Sequence, residues 1–207
     1  ILRRFPQDDF LGEEDSPEVA SLKSPRRWIV DPIDGTTNFV HGFPYYGSSI
    51  ALEVDGEIVV GVIYDPSKKE MFVAAKGQGA HCNSQRLAVS ASARLSEALV
   101  CIGLPAVPEK HPETISGMVR LTARTRSVRR MGSAALSMAY VAAGRSDGFY
   151  SHIIQPWDVA AGVLLVREAG GKVTNLWADR YDLYNRSVLA TNGLVHEEVA
   201  RELAEGR

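Results

Sequence analysis

The sequence predicts an α/β (α+β layered) protein built of stacked helices and sheets, and two observations carry that prediction. Residues 44–90 contain successive β-rich runs separated by turn residues, which is the pattern of an antiparallel meander. After this part, strand-like and helical segments alternate, and the helical segment that opens at Pro156 is apolar almost all round. Because a helix without a polar side must be buried between other elements, we expect several packed layers.

Composition is ordinary for a globular chain and argues against several classes of protein. The 207 residues include 45% hydrophobic and 23% charged residues, with a formal net charge of −2. This charge does not suggest a nucleic-acid-binding surface, and the absence of a run of about 18 apolar residues predicts no membrane span. Cys82 and Cys101 have no metal-binding spacing, so we expect two free thiols in a reducing cytoplasm.

The strands of the first part are placed by their apolar runs and by the turns between them. Asp55 and Gly56 join two of these runs and are a strong hairpin signal. The glycine-rich residues 76–80 lack the GK[ST] ending of a phosphate-binding loop and are predicted to form a turn. The expected strands lie at residues 28–30, 46–54, 57–64, 70–75 and 85–90.

The second part alternates between strands and helices. Pro112 suits the first turn of a helix, and Ser133 is a good N-cap for a helix that ends at Gly144. The glycine pair at 170–171 ends the buried helix that opens at Pro156. The expected strands lie at residues 99–104, 147–151, 172–174 and 187–191, and two further helices lie at 111–124 and 195–205.

The stretch at residues 28–39, WIVDPIDGTTNF, is the strongest candidate for a functional site. A short apolar run is predicted to end abruptly at a turn that holds Asp31 and Asp34. Pro32 restricts the backbone there, and Gly35 lets it turn sharply and approach a ligand. Either aspartate alone is an ordinary turn residue, but two acids on a rigid turn suit a cation. A calcium EF-hand loop is excluded because its D-x-D-x-D-G pattern is missing.

Other charged and capping residues have a structural and a functional interpretation. The acids of LGEEDS at residues 11–16 are typical of a solvated loop, but one of them could join the Asp31 and Asp34 site. Asp158 could simply complement a helix dipole, although a cation site shared with those two aspartates is the better interpretation. Four arginines form a cluster that is usually a solvated face, with the holding of an acidic substrate group as the alternative; they are Arg124, Arg126, Arg129 and Arg130.

Three segments resemble the inositol monophosphatase family. DPIDGTTNFVHGFP at residues 31–44 resembles its first signature, and PWDVAAGVLLVREAGG at 156–171 resembles its second. LGEED at 11–15 is similar to the acidic segment that precedes the first signature. The resemblance implies the αβαβα sandwich of the inositol monophosphatase and fructose-1,6-bisphosphatase type. It also implies two N-terminal helices ahead of Ile1, which we expect to be missing from a partial sequence.

The resemblance further implies the roles of individual residues. Glu13, Asp31 and the Ile33 carbonyl would bind one metal ion, Asp31, Asp34 and Asp158 would bind a second, and a third, weaker ion would lie near Glu13. Glu13, Asp31 and Thr36 would form the catalytic group, in which Glu13 and Thr36 orient the attacking water. The expected substrate contacts are Asp34, Gly35, Thr36, Gly132, Ser133, Ala134 and Asp158. For the three residues 132–134, an ordinary capped core helix explains the sequence equally well without the resemblance.

The chemistry of such a site favours Mg²⁺. Four converging carboxylates would repel one another and hold protons unless cations neutralised them. Ligands that are all oxygen select Mg²⁺, Mn²⁺ or Ca²⁺ over zinc, and Mg²⁺ is the best choice among them. Two ions about 3.5–4 Å apart can clamp a phosphate and generate a nucleophilic hydroxide. We therefore expect residues 1–95 to carry the metal site, and residues 96–207 to carry the substrate pocket and the last metal ligand.

The predicted function is Mg²⁺-dependent hydrolysis of a small phosphomonoester, inositol 1-phosphate first. The resemblance implies lithium sensitivity and a homodimer, and no nucleic acid or membrane partner is expected. Two positions depart from the inositol-specific pattern: Ser151 replaces a glutamate, and the segment at 103–105, which contains Leu104, lacks a serine. Histidinol phosphate, fructose 1,6-bisphosphate and a 3′-phosphonucleotide therefore remain alternative substrates. A regulatory protein that binds a macromolecular partner is the alternative from another class.

Overall fold

A computed structural model of the chain describes residues 1–14, 23–104, 111–177 and 180–205. In these residues, seven strands form one sheet and five form another. The first sheet contains β1 (Asp9–Gly12), β2 (Arg26–Asp34), β3 (Gly47–Val54), β4 (Glu57–Asp65), β5 (Glu70–Ala75), β6 (Ala80–Cys82) and β7 (Gln85–Arg86). The second contains β8 (Leu99–Gly103), β9 (Ser127–Arg129), β10 (Gly148–Ser151), β11 (Lys172–Thr174) and β12 (Val188–Thr191). The helices are α1 (Thr36–Val40), α2 (Pro112–Arg124), α3 (Ala134–Ala142), α4 (Pro156–Glu168) and α5 (His196–Ala204).

The first sheet is a meander with one parallel edge. Its strands follow chain order, β1 pairs parallel with β2, and every later pair is antiparallel. In the second sheet the order is β11-β12-β10-β8-β9, and β8 pairs parallel with both β9 and β10. The meander and the mixed sheet agree with the expected β-rich first part and alternating second part.

Helices α3 and α4 form the central layer between the two sheets. Helix α4 packs on β2 to β5 of the first sheet and on β11 and β12 of the second. Small residues permit this close packing: a Cβ added at Gly162 would lie 2.6 Å from Met138 Cβ, and one added at Gly61 would lie 2.8 Å from the Ala161 carbonyl oxygen. The buried helix predicted from Pro156, which is apolar almost all round, is therefore the centre of the core.

Helices α2 and α5 contact each other, and they pack against β9 and β12 of the second sheet. The described residues thus supply four layers, in the order sheet, helices, sheet, helices, of the five-layer sandwich that the resemblance implies. Trp28, Ile50, Leu52 and Val62 alternate with the core-facing residues of the first sheet and are half-buried. No helix in the described ranges has the length and apolar character needed to cross a bilayer.

Most predicted elements are present, and the differences concern the bounds or the presence of individual strands. The predicted strand at 28–30 extends from Arg26 through Asp34 instead of ending before Asp31. The predicted strand at 85–90 is limited to Gln85–Arg86. Strands β1, β6 and β9 were not expected from their short sequences. Asp15, Ser16 and Pro105, which belong to segments singled out in the sequence, lie outside the described residues.

Candidate active site

A bulge in β2 turns Asp31 and Asp34 toward the same site. Asp31 pairs with Ser49 of β3 and Asp34 pairs with Gly47, so the interval on β2 is one residue longer than the interval on β3. Residues three apart on a regular strand would face opposite sides of the sheet, and the extra residue of a bulge reverses that relation. Both carboxylates consequently point into the protein, with exposures of 1% for Asp31 and 8% for Asp34.

Local hydrogen bonds fix the end of β2. The Ile33 backbone N–H donates to Asp31 Oδ1 at 2.9 Å, and the Thr36 hydroxyl donates to the Ile33 carbonyl at 3.1 Å. Gly35 has a φ of +93°, which favours glycine, and an added Cβ there would lie 3.2 Å from the Gly132 carbonyl oxygen. The turn is therefore held rigidly, as expected for the site of a bound cation.

The start of α3 holds the second aspartate. Asp34 Oδ2 accepts hydrogen bonds from the Ala135 backbone N–H at 2.7 Å and from the Ser133 hydroxyl. The Ser133 oxygen also accepts from the Leu136 backbone N–H at 3.2 Å, so it is the N-cap that the sequence predicts. One serine therefore both begins the helix and orients a carboxylate of the first sheet.

Asp158 lies in the first turn of α4 and completes a cluster of three carboxylates. Its Oδ2 accepts from the Gln155 backbone N–H at 2.9 Å, which closes a capping box at the helix start. One carboxylate oxygen from each of Asp31, Asp34 and Asp158 lies within 4.8 Å of the others. The helix and the strand, distant in sequence, thus meet at the same acidic site.

Burial and mutual repulsion raise the pKa values of these carboxylates. Burial, followed by the Asp34 and other nearby carboxylate charges, raises the pKa of Asp31 from 3.8 to about 8. Burial and the Asp34 charge raise the pKa of Asp158 to about 7. Burial raises the pKa of Asp34 to about 6, against the opposing effect of its hydrogen bond from Ser133. None of the ion pairs in the described ranges involves these three groups, so a divalent cation fits the uncompensated oxygen donors.

Glu13 lies outside this cluster. It follows β1, whose Gly12 is in register with Val30, and its side chain is exposed. Its charge nevertheless contributes to the raised pKa values of Asp31, Asp34 and Asp158. The structure therefore brings three of the four expected carboxylates together and places the fourth at the edge of the site.

A cavity of about 180 Å³ opens beside the acidic cluster. Gly132, Ser133 and Ala134 line it together with Asp34 and Asp158, whereas Gly35 and Thr36 are not among its lining residues. Three apolar residues that line the cavity were not singled out from the sequence, because nothing distinguishes them from core residues. These residues are Ile102, Phe149 and Ile154.

Asn38 is another residue whose role could not be assigned from the sequence. Its Nδ2 donates to the Tyr45 carbonyl at 2.7 Å and to the Met131 carbonyl at 2.9 Å. It therefore joins α1 to the turn before α3, where Gly132 has a φ of +88° and an added Cβ would lie 2.7 Å from the same nitrogen. The indication in the sequence was that Asn38 ends the Gly-Thr-Thr-Asn run. The sequence could not show its partner, because Met131 lies 93 residues away.

The layered fold and the carboxylate cluster define an α/β protein with a candidate metal site. A sequence model described as the inositol monophosphatase family matches residues 1–207. The chain belongs to this family, whose members are Mg²⁺-dependent phosphatases acting on phosphoric monoesters. The family and the fold class expected from the two signature segments are thereby confirmed.

Individual relatives and a solved structure agree with this assignment. The chain is 41% identical over 206 residues to an inositol-1-monophosphatase of Rhizobium meliloti, covering 99% of this chain and 76% of the relative. It is 40% identical over 193 residues to the Nus factor SuhB of Escherichia coli, covering 93% of this chain and 72% of the relative. The structure of inositol monophosphatase from Anabaena (Nostoc) sp. superposes with a TM-score of 0.92 at 41% identity, covering 98% of this chain and 81% of that one.

Proposed function

We propose that this chain hydrolyses inositol 1-phosphate, or a phosphomonoester of similar size, with Mg²⁺ as its cofactor. The observation that carries the proposal is the cluster of Asp31, Asp34 and Asp158, whose oxygens lie within 4.8 Å of one another beside a cavity of about 180 Å³. The name inositol-1-monophosphatase, which the Rhizobium meliloti relative carries, supports this choice of substrate.

The proposed ligands divide between two principal ions. Glu13, Asp31 and the Ile33 carbonyl would hold one, Asp31, Asp34 and Asp158 the second, and a weaker third would lie near Glu13. When bound, the cations supply positive charge that attracts the substrate phosphate and lowers the pKa of a water molecule. The exposed position of Glu13 suits a ligand that completes its site only when an ion is present.

The residues of the turn have proposed roles in positioning. Glu13 and the Thr36 hydroxyl would orient the attacking water, and the Gly35 and Thr36 backbone N–H groups would cradle the phosphate. In the net reaction, the water oxygen bonds to phosphorus and the bond between phosphorus and the ester oxygen breaks. One proton of the water ends on the released alcohol, and inorganic phosphate leaves. Residues 132–134 would contact the substrate where they line the cavity.

Further properties are proposed on the strength of the family and of single observations. Residues 1–95 would contribute the metal site, and residues 96–207 the substrate pocket and Asp158. A homodimer is supported by exposed apolar side chains beside the site, namely Phe39, Val40 and Phe43. Two buried free cysteines support a cytoplasmic location. Lithium sensitivity follows from family membership alone.

The test measures phosphate release from inositol 1-phosphate in the presence of Mg²⁺ and in the presence of a chelator. We expect turnover that depends on Mg²⁺ and that falls by about two orders of magnitude or more in Asp158→Asn, because this change removes a charged ligand. The matched control is Asp55→Asn, a change in an exposed hairpin turn with φ of 50°, where asparagine is equally suitable. Near-normal turnover by Asp158→Asn would contradict the site assignment.

A second candidate function is regulatory binding of a macromolecular partner. It is favoured by one observation, the 40% identity to a relative named Nus factor SuhB. Histidinol phosphate, fructose 1,6-bisphosphate and a 3′-phosphonucleotide are included in the assay as alternative substrates. Binding of Mg²⁺ without phosphate release from any of the four substrates would replace the first function with the second.

A further inference from the structure

We propose that Arg130 is a specificity residue that binds a second anionic group of the substrate. The preferred substrates would then be phosphomonoesters that carry another phosphate or a carboxylate away from the reacting phosphate. The inference rests on the proposed phosphatase function of the same cavity. It gives a role in substrate binding to a side chain that is not among the proposed metal ligands.

Arg130 is the basic residue of the cavity wall, within the part of the chain that the structure describes. It lines the same cavity as Asp34 and Asp158, and its side chain is exposed. Among the ion pairs and side-chain hydrogen bonds between described residues, none involves Arg130. Its guanidinium therefore has its donors available to a ligand.

The neighbouring arginines differ from Arg130 because each interacts with other groups of the protein. Arg129 donates to the Val128 carbonyl at 3.0 Å and to the Ser127 hydroxyl. Arg124 Nε lies 3.6 Å from Glu202 Oε1, with which it forms an ion pair. The Arg126 charge acts on Glu97, where it contributes to a lowered pKa. None of these three lines the cavity, so Arg130 is the member of the basic cluster that does.

Apart from Arg130, most of the described residues that line the cavity are apolar or glycine. Ile102, Leu104, Phe149 and Ile154 contribute apolar surface to the cavity. Ser151, at the position of the glutamate in inositol-specific relatives, is buried, and its hydroxyl donates to the Ile153 carbonyl at 2.9 Å. Its hydroxyl is thus engaged within the protein. Among the described residues that line the cavity, the carboxylates are Asp34 and Asp158, which belong to the acidic cluster.

Charge complementarity indicates what Arg130 would bind. A second anion placed against the apolar lining of the cavity would lose hydration without compensation unless a cation faced it. A guanidinium is always charged, and its planar donors match two oxygens of a phosphate or a carboxylate. Arg130 would therefore increase the affinity for a doubly anionic substrate and leave the chemistry at the reacting phosphate unchanged.

The test compares two substrates that differ only in the second anion, fructose 1,6-bisphosphate and fructose 1-phosphate. Both would lose the 1-phosphate, and the bisphosphate reaction is followed by the appearance of fructose 6-phosphate. We expect wild-type kcat/KM to be at least about tenfold higher for the bisphosphate, since charge-assisted bidentate contacts are strong. Arg130→Ala should remove this preference, chiefly through KM, and should change kcat/KM for fructose 1-phosphate less than about threefold.

The matched control is Arg126→Ala, which removes an exposed arginine of the same cluster that does not line the cavity. It should retain the preference for the bisphosphate. An equal loss on both substrates in Arg130→Ala, or the absence of a preference in the wild type, would overturn the inference while monophosphate turnover persists. Failure of the proposed function is distinguishable from this, because it would abolish Mg²⁺-dependent release from inositol 1-phosphate and fructose 1-phosphate alike.

Discussion

Asp34 Oδ2 lies 2.7 Å from the backbone nitrogen of Ala135, which is 101 residues further along the chain. This hydrogen bond joins the end of a strand in the first sheet to the first turn of α3. The Ser133 hydroxyl donates to the same oxygen. A carboxylate proposed to bind metal is therefore oriented by the helix that also forms one wall of the cavity.

Replacing Ser133 by alanine should weaken both the fold and the proposed metal site. The variant loses the N-cap hydrogen bond to Leu136 and the donor to Asp34, so we expect a loss of about 0.5–2 kcal/mol in the free energy of unfolding and a lower Mg²⁺ affinity. Urea unfolding and calorimetric titration with Mg²⁺ measure the two effects. Ser133→Thr keeps the hydroxyl and should lie closer to the wild type in metal affinity. Equal affinities in all three proteins would refute the role of this donor.

Removal of metal should make stability depend on pH. In the unfolded chain Asp31, Asp34 and Asp158 titrate near 3.8, whereas in the folded metal-free protein their pKa values are about 8, 6 and 7. At pH values between the unfolded and the folded pKa values, the folded state binds more protons than the unfolded state. The stability of the metal-free protein therefore falls as pH rises from about 4 to 8.

Bound Mg²⁺ should remove this loss, because the cation replaces the protons that the carboxylates would otherwise hold. The difference in Tm between samples with Mg²⁺ and with chelator should therefore widen as pH rises from 5 to about 8. Thermal unfolding at several pH values measures it. A difference that stays constant over this interval would show that the carboxylates are not the groups that bind the cation.

His196 should produce a pH dependence of the opposite sign. Its Nε2 lies 3.1 Å from the Thr174 hydroxyl and its Nδ1 lies 3.0 Å from the Thr191 hydroxyl. Burial, and then the Lys172 charge, lowers the pKa of His196 from 6.5 to about 4. Between these values the unfolded state binds the additional proton, so stability contributed by neutral His196 is lost as pH falls through this interval.

The contribution is isolated by comparing the wild type with His196→Gln in chelator, where the aspartate cluster titrates alike in both. The side chain introduced by His196→Gln does not titrate, so the stability difference between the two proteins should change as pH falls from 6.5 to 4. Urea unfolding at each pH provides the measurement. Parallel curves for the two proteins would mean that His196 has a similar pKa in the folded and unfolded states.

Gly162→Ala should destabilise the central layer. The added Cβ would lie 2.6 Å from Met138 Cβ on α3, so the two helices must separate. We expect a cost of about 1–3 kcal/mol from overpacking, larger than the roughly 1 kcal/mol by which alanine improves helix propensity over glycine. Gly148→Ala is the control, because its nearest contact would be 3.4 Å. Increased stability of Gly162→Ala in urea would contradict the close approach of α3 and α4.

Local signals in the sequence were sufficient for much of the fold. Ser133 is the N-cap that its sequence predicts, and Asp55 and Gly56 adopt the positive φ angles of the predicted hairpin turn. Strands β1 and β9 were missed because each is short and pairs in parallel with a strand distant in sequence. Such pairing is decided by tertiary packing and leaves little trace in local composition.

In the candidate site, too, the residue types could be predicted from the sequence, whereas features that depend on tertiary packing could not. The choice of Asp31, Asp34 and Asp158 required only the residue types and the resemblance. The bulge that turns the first two to the same side could not be predicted, because it depends on the register with β3. The guanidinium of Arg130, which has no ion pair or side-chain hydrogen bond among the described residues, was equally hidden, since its neighbours Arg126 and Arg129 look identical to it in sequence.

The meeting of β2 with α4 has a consequence for biosynthesis. During translation Asp31 and Asp34 leave the ribosome long before Asp158 is added to the chain, so the acidic cluster is incomplete while the first sheet assembles. Contacts of such high sequence separation form late and slowly. Acquisition of the metal ion would thus mark the final docking of the two halves, and a nascent chain would be catalytically silent until that step.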